Sequence, residues 1–341
     1  MANFGSDNAS GTHPKIIESL VLASSGNTAA YGDDDLTRSV YKRFESLFDC
    51  QVSIFLVATG TAANCIGLAT LASSVSGIYA HAEAHIVNDE STAPELYTGG
   101  ARQFTVGGDD AKPDLEELAQ KIDLSGARGV HSVQPAVIAI SNLTELGARL
   151  SPDEIVAYSE LAKSRSMKLF MDGARFANAV AGGSESPADL TWRAGVDALS
   201  FGATKNGAMA AEALVFFNPD EAMLAEFHRK RGGHLWSKHR YLAAQFDAYL
   251  AGDLWLELAT ASNASMARLR DGISSSNNAS ILAGGDGNEL FVSMEEDVAE
   301  GLLQRGHMFY AWPSLPKAYR LVTSFTTTTA EIDEFIEDLN S

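Results

Sequence analysis

One lysine stands apart by its surroundings. In the run DALSFGATKNGAM, residues 197–209, Lys205 is set among Phe201, Ala203, Ala208 and Met209, with Ala210 and Ala211 just beyond. An amine kept from water loses part of its preference for the charged form, and the free amine is the form that condenses with a carbonyl. A lysine in a loop is more often a solvated surface charge, but these apolar neighbours weigh against that reading. Three other clusters carry chemistry. ATGTAAN, residues 58–64, brings Gly60 and Thr61 to the start of a helical pattern, where unpaired N–H groups can hold an anion, phosphate above all. Alone it is a weak signal, being neither a G-x-G-x-x-G fingerprint nor a P-loop. MDGARFANA, residues 171–179, presents Asp172, which can face a cationic ring nitrogen or a metal, or cap the turn. Arg175 can pair with Asp172 or fork onto a substrate carboxylate. In AEAHIVNDE, residues 82–90, His85 can lie flat on a planar ring or be a satisfied core histidine.

Taken in order, these clusters supply an anion cradle, a flat side chain, a carboxylate and an amine. Pyridoxal 5'-phosphate needs all four: a phosphate site, a stacking partner, an anion opposite its ring nitrogen and a lysine. No one signal is specific; their succession is. No metal site is expected.

The elements that must position these groups alternate in type. Strand patterns are VSIFLVA from Val52, GIYA from Gly77, RQFTV from Arg102, AVIAIS from Ala136, KLFMD from Lys168, DALSF from Asp197 and ALVFF from Ala213. Several are apolar throughout, as strands covered on both faces are. Between them lie helical patterns. Leu36, Val40, Phe44, Leu47 and Phe48 share one face, and Ser151, Pro152 and Glu154 form a capping box with a favoured proline. This alternation predicts an α/β fold with a mostly parallel central sheet, and ligands bind such sheets beyond the carboxyl ends of the strands. All four clusters fall at strand ends. After about Asp253 the pattern changes to a long helix, a loop-rich region with turns in SSSNNAS and GGDGN, the strand patterns ELFVSM and YRLVTSF, and a final helix. The expected division is residues 1–252, an N-terminal arm with the large cofactor-binding domain, and residues 253–341, a smaller α+β domain.

Composition excludes some functions. The net charge of −19 over 341 residues repels phosphate backbones, so no nucleic-acid partner is expected. No apolar run spans a bilayer and no secretory leader is visible, so the expected location is cytoplasmic, without a membrane partner. The two cysteines, Cys50 and Cys65, are too few for a disulfide framework or a tetrahedral thiolate site and read as small core groups.

With these residues in place, nearly the whole chain resembles the low-specificity L-threonine aldolases of the β-eliminating lyase/threonine aldolase group. These are pyridoxal-phosphate enzymes of the aspartate-aminotransferase-like type I fold. The resemblance rests on FGSDNASG at Phe4, AYGDDD at Ala30, ATGTAAN at Ala58, the AEAH histidine, MDGARFANA at Met171, LSFGATKNG at Leu199, RKRGGHLWSK at Arg229 and YRLVTSF at Tyr319. It implies that Lys205 carries the cofactor as an aldimine, Asp172 keeps its ring nitrogen protonated and His85 stacks on the ring. Gly60 and Thr61, with Thr204, would hold the phosphate. Ser6, Arg175 and Arg320 would grip the substrate carboxylate, with Tyr31 near the site. Lys230 and Lys238 would be phosphate contacts reaching across from a neighbouring subunit, which implies a homo-oligomer with a dimer as active unit and a tetramer as the common assembly.

The activity implied is retro-aldol cleavage of threonine, allo-threonine or phenylserine-like β-hydroxy-α-amino acids to glycine and an aldehyde. His85 or an ordered water would take the hydroxyl proton. Two segments depart from the family pattern. Thr144 and Glu145 stand where many members have a histidine near the substrate hydroxyl, and Asn8 replaces the more usual threonine of SDT. The rivals are a β-eliminating lyase on the same scaffold, which would release pyruvate and ammonia, and a catalytically silent binding protein, against which Lys205 and Asp172 argue. A nicotinamide dehydrogenase would need the glycine fingerprint that is missing here.

Overall fold

A computed structural model describes residues 1–341. Seven strands form the main sheet: β1 (Ser53–Val57), β2 (Ser76–His81), β3 (Arg102–Val106), β4 (Gln134–Ser141), β5 (Lys168–Gly173), β6 (Ala198–Gly202) and β7 (Glu212–Phe216), in the order β1-β7-β6-β5-β4-β2-β3. Only β7 runs against its neighbours β1 and β6; the other pairings are parallel. The carboxyl ends of β1, β2, β4, β5 and β6 therefore share one edge of the sheet, and β7 begins there with Glu212. β5, β6 and β7 are buried at nearly every position, which is why their sequences are apolar runs and not alternations.

Two features bring helices close to that edge. The helix Gly60–Leu71 is buried along most of its length. At Gly67 a Cβ would come within 2.5 Å of the Phe170 ring, so only glycine allows this approach. On the other face, Phe201 of β6 meets Phe44, Phe246 and Trp255 at centroid distances of 5.4, 6.2 and 5.9 Å. This aromatic layer lies directly beneath the turn that carries Lys205. The expected capping box is present in full: Ser151 Oγ accepts the Glu154 N–H, and the Glu154 carboxylate accepts the Ser151 N–H.

A second, antiparallel sheet has the order β10-β11-β9-β8, from β8 (Ala279–Gly284), β9 (Glu289–Met294), β10 (Tyr310–Ala311) and β11 (Ala318–Val322). β8 begins inside SSSNNAS, which reads as a turn in sequence; it is an edge strand, partly exposed and glycine-ended, so its apolar signal is thin. The N-terminal residues join this sheet's core. Ala2 and Phe4 pack with Leu321 and Phe335, and Phe4 N–H donates to Met308 O at 2.7 Å. No helix is long and apolar enough to cross a membrane.

Candidate active site

At the shared strand edge lies a cavity of about 270 Å³. It gathers Gly60, Thr61, His85, Asp172, Arg175, Thr204 and Lys205 from four separate strand ends, those of β1, β2, β5 and β6. Each is placed by local structure. Thr59 caps the helix Gly60–Leu71, its Oγ1 accepting the Ala62 N–H at 3.2 Å. The N–H groups of Gly60 and Thr61 then lead the helix without intrahelical acceptors. A Cβ on Gly60 would meet nothing within 4 Å, so this first turn faces open space.

Lys205 sits in the short turn Thr204–Asn206. Asn206 fixes that turn from below, donating to Tyr249 Oη at 2.7 Å and Trp255 O at 2.8 Å, and Gly207 closes it at φ 102°. The lysine is half-buried, and Ala203, Ala208 and Ala211 around it are buried; Met209, which the sequence groups with them, is 54% exposed. No carboxylate forms an ion pair with its amine.

Asp172 is the penultimate residue of β5 and is 8% exposed. Its Oδ1 accepts the Ala174 N–H at 2.9 Å and its Oδ2 accepts Asn64 Nδ2 at 2.7 Å. The same Asn64 amide donates to Glu90 Oε1 at 2.8 Å, and Glu90 Oε1 also meets His85 Nδ1 at 2.9 Å. Asp172, Asn64, Glu90 and His85 thus form one hydrogen-bonded chain. Their ligand atoms cluster within 4.8 Å, but the protein's own amide already fills the space between the two carboxylates. Burial alone would depress the His85 imidazole; the Glu90 hydrogen bond and the charges of Asp172 and Glu90 outweigh it and raise the pKa.

Two further carboxyls line the cavity. Glu212, at the start of β7, accepts the Thr204 N–H at 3.3 Å, and burial raises it to about 7 against the pull of Thr204 and Lys205. Glu145 accepts Ser141 Oγ at 2.6 Å and the His85 N–H at 3.0 Å, both on Oε1. Burial raises it also to about 7, the Ser141 bond opposing and the Asp172 charge adding.

Arg175 does not pair with Asp172. Its Nε and Nη2 fork onto Asp7 at 2.8 and 3.2 Å, and its Nη1 lies 3.0 Å from Glu289. Arg320 stands behind it, 3.5 Å from Glu289 and bonded to Gly5 O at 3.2 Å, and does not line the cavity. Ser6 is also outside: its Oγ accepts the Asn8 N–H, and Asn8 is the residue that lines the cavity. Tyr31, Lys230 and Lys238 lie on the exposed surface of the chain, with the Lys230 ammonium 5.1 Å over the Tyr31 ring. The sequence reading passed over Asn64, Glu90 and Glu212. Asn64 lies inside ATGTAAN, and Glu212 is an acid heading an apolar strand, which is itself a signal.

The profile of the beta-eliminating lyase family matches residues 3–297. A low specificity L-threonine aldolase of Pseudomonas aeruginosa is 34% identical over 339 residues, covering 98% of this chain and 96% of the relative. One from another Pseudomonas species is 34% identical over 341 residues, with 99% and 97% coverage. A solved threonine aldolase of Leishmania major superposes with a TM-score of 0.93 at 27% identity, covering 99% and 98% of the two chains. A serine palmitoyltransferase of Sphingomonas wittichii, at 16% identity and a TM-score of 0.72, shares the fold alone over 99% of this chain and 86% of its own.

Proposed function

The chain belongs to the beta-eliminating lyase family, and from that premise we propose that it is a pyridoxal-phosphate-dependent threonine aldolase, cleaving L-threonine and related β-hydroxy-α-amino acids to glycine and an aldehyde. The carrying observation is an amine, Lys205, in a cavity beside a buried Asp172 that is anchored through both carboxylate oxygens, and below an open helix N-terminus. The residues fit the cofactor: Gly60 leaves room where a phosphate needs it, and Lys205 is free of a competing carboxylate. When bound, the cofactor supplies an electron sink for the Cα–Cβ electron pair.

The chain's own groups would do the rest. Gly60, Thr61 and Thr204 hold the phosphate, the first two by their N–H groups. Asp172, its outer lone pairs already claimed by Asn64 and Ala174, offers a fixed anion to a ring N–H and keeps that nitrogen protonated. His85, clamped by Glu90, presents its imidazole face to the ring. Lys205 would hold the cofactor between turnovers, and its freed amine would be placed to hand a proton to Cα. Arg175, its position set by Asp7 and Glu289, grips the substrate carboxylate, supported from behind by Arg320 and from the arm by Ser6 and Asn8. Phenylserine-like substrates belong to the same reading.

We assign residues 1–252 to the large domain and 253–341 to the small one, with Ala2 and Phe4 of the arm packing into the latter. The active unit is a homodimer, with a tetramer as the expected assembly. In it Lys230 and Lys238 would serve the neighbouring subunit's phosphate site, with Tyr31 near the substrate. Their place on the surface supports this, as do Ile17, Val21, Leu22 and Phe227, large apolar side chains left exposed. A cytoplasmic location accords with two free thiols.

The test is a spectrum and a product analysis. The purified protein should be yellow, borohydride should bleach it and fix the label on Lys205, and threonine should yield glycine with acetaldehyde. A colourless, unlabelled protein overturns the reading. A keto acid with ammonia in place of glycine would make it a β-eliminating enzyme on the same scaffold.

A further inference from the structure

The aldol reading leaves one proton unassigned, that of the substrate's β-hydroxyl. Cleavage needs a group that can accept it, has a free lone pair in the cavity and stands at the side-chain end of the substrate. Most carboxylates in or near the cavity are already spoken for. Asp172 takes Asn64 and Ala174, Glu90 takes Asn64, His85 and the Cys65 thiol, and Asp7 takes Arg175 and Asn288. Glu212 lies on the Lys205 side, tied to the Thr204 N–H, where the amine's own charge faces it.

Glu145 differs from all of these. Both of its donors from other residues, Ser141 Oγ and His85 N–H, use Oε1; no other residue donates to Oε2, and the side chain lines the cavity. Its loop is pinned at several points. Thr144 Oγ1 donates to Asp110 O at 2.7 Å, Ala148 N–H donates back to Thr144 Oγ1, and the Asn142 amide exchanges two bonds with Leu150. Its anchor Ser141 is the direct register partner of Asp172 on the next strand, so the loop stands one strand beyond the ring anchor, on the side away from β6 and Lys205. Beside it Leu143 is the one large apolar side chain lining the cavity. An apolar group next to a carboxyl oxygen suits a small substrate side chain bearing a hydroxyl.

We propose that Glu145, through Oε2, takes the β-hydroxyl proton as the Cα–Cβ bond breaks. This rests on the aldolase reading. The O–H electron pair becomes the new C=O bond, the Cα–Cβ pair moves to the glycine carbon, and that carbon later receives a proton in return. Glu145 releases its proton to water at the cavity mouth, and nothing is oxidised or reduced. The groups facing Glu145 are Asp172 from β5 and His85, with Glu90 behind it; Lys205 and Arg175 line the same cavity without contacting it. Asp172 and burial both favour its protonated form, so a carboxyl there exchanges a proton near neutral pH, as a general base should.

The experiment compares wild-type and Glu145→Gln holoenzymes, since glutamine retains an Oε1 acceptor for Ser141 and His85. Cofactor absorbance, borohydride labelling of Lys205 and the exchange of glycine's α-protons in D2O, followed by NMR, need no hydroxyl base. These should stay within about threefold of wild type, while kcat for threonine falls by roughly 10²–10⁴-fold and the acid limb of kcat/KM near pH 7 disappears. Glu145→Asp, which keeps an acid set back by one methylene, should retain the limb at a reduced rate. Cleavage by Glu145→Gln within threefold of wild type overturns the assignment. So does a parallel loss of glycine exchange, which would make the residue a scaffold only, and so does an aspartate variant with full rate and no acid limb. A wild-type protein lacking cofactor absorbance sinks the aldolase reading and this assignment with it.

Discussion

The molecule removes carboxylates from water in two contrasting ways. Where the N-terminal arm meets the second sheet, Asp7 and Glu289, each 1% exposed, are matched against Arg175 and Arg320. Burial would raise Asp7, but Arg175 and then Lys205 pull harder and leave it below the ordinary carboxylate range; the same pairing raises Arg175 against its own desolvation. A few residues away, Glu145 and Glu212 line the cavity with hydrogen bonds but no cation in contact, and both rise to about 7. The first arrangement fixes charge and so fixes shape. The second leaves a proton free to come and go near neutral pH. Burial is common to both, and the presence of a guanidinium decides which behaviour results.

The largest expected effect is at the lone amine between the two regions. Lys205→Ala should abolish turnover while the fold survives, because no ion pair is lost; retained aldol cleavage would refute its role. Next is the charged seam. Asp7→Ala leaves Arg175 with a single buried partner and should cost about 3–5 kcal/mol, read as a fall in the urea midpoint. A change under about 1 kcal/mol would mean that the pairing is no firmer than a surface salt bridge. Asp172→Asn should lower kcat on the order of 10²–10³-fold through loss of a preorganised charge, with little change in Tm. An unfolded variant would instead make Asp172 a structural cap.

How much of this was visible in advance follows from distance along the chain. β1, β5, β6 and β7 declare themselves because strands covered on both faces are written as apolar runs, and the chemistry at their ends follows from where such strands must stop. The Asp7–Arg175 fork, spanning 168 residues, and the Asn64–Asp172 bond, spanning 108, leave no local pattern. An arginine three residues from an aspartate therefore left Asp172 open as a partner beside a substrate carboxylate, and the fold gives it Asp7 instead of Asp172.

A smaller effect separates the two regions by pH. Glu145 and Glu212 bind a proton more tightly in the folded chain than at their ordinary value of 4.5. Their contribution to stability is thus complete below about pH 4.5 and is lost as pH rises towards 7. Asp7 has the opposite sign: its contribution is present above its ordinary value of 3.8 and is lost as pH falls through its lower folded value. His239, held buried and neutral down to about 4, also favours the higher pH. The comparison is therefore made against a Glu145→Gln/Glu212→Gln variant without cofactor. Between pH 5 and 7 the wild-type Tm should fall relative to the variant; parallel curves would contradict the raised pKa values. The smallest effect lies outside both regions. Ser151→Ala removes one half of a capping box and should cost about 1 kcal/mol with activity unchanged.

The arm that supplies Asp7 has a temporal consequence. Phe4 rests edge-on against Phe335 at 5.1 Å, and Val322 N–H donates to Phe4 O. Phe4 thus waits for residues more than 300 positions later in the chain before it can dock, and Arg175 acquires its aspartate only then. Vectorial synthesis would hold a nascent chain inactive until the helix Thr329–Leu339 emerges, so that a product terminated before it carries Lys205 and Asp172 yet lacks a settled grip on any carboxylate. Stalled chains of increasing length, probed for protease resistance of the arm, would show protection arriving in one late step.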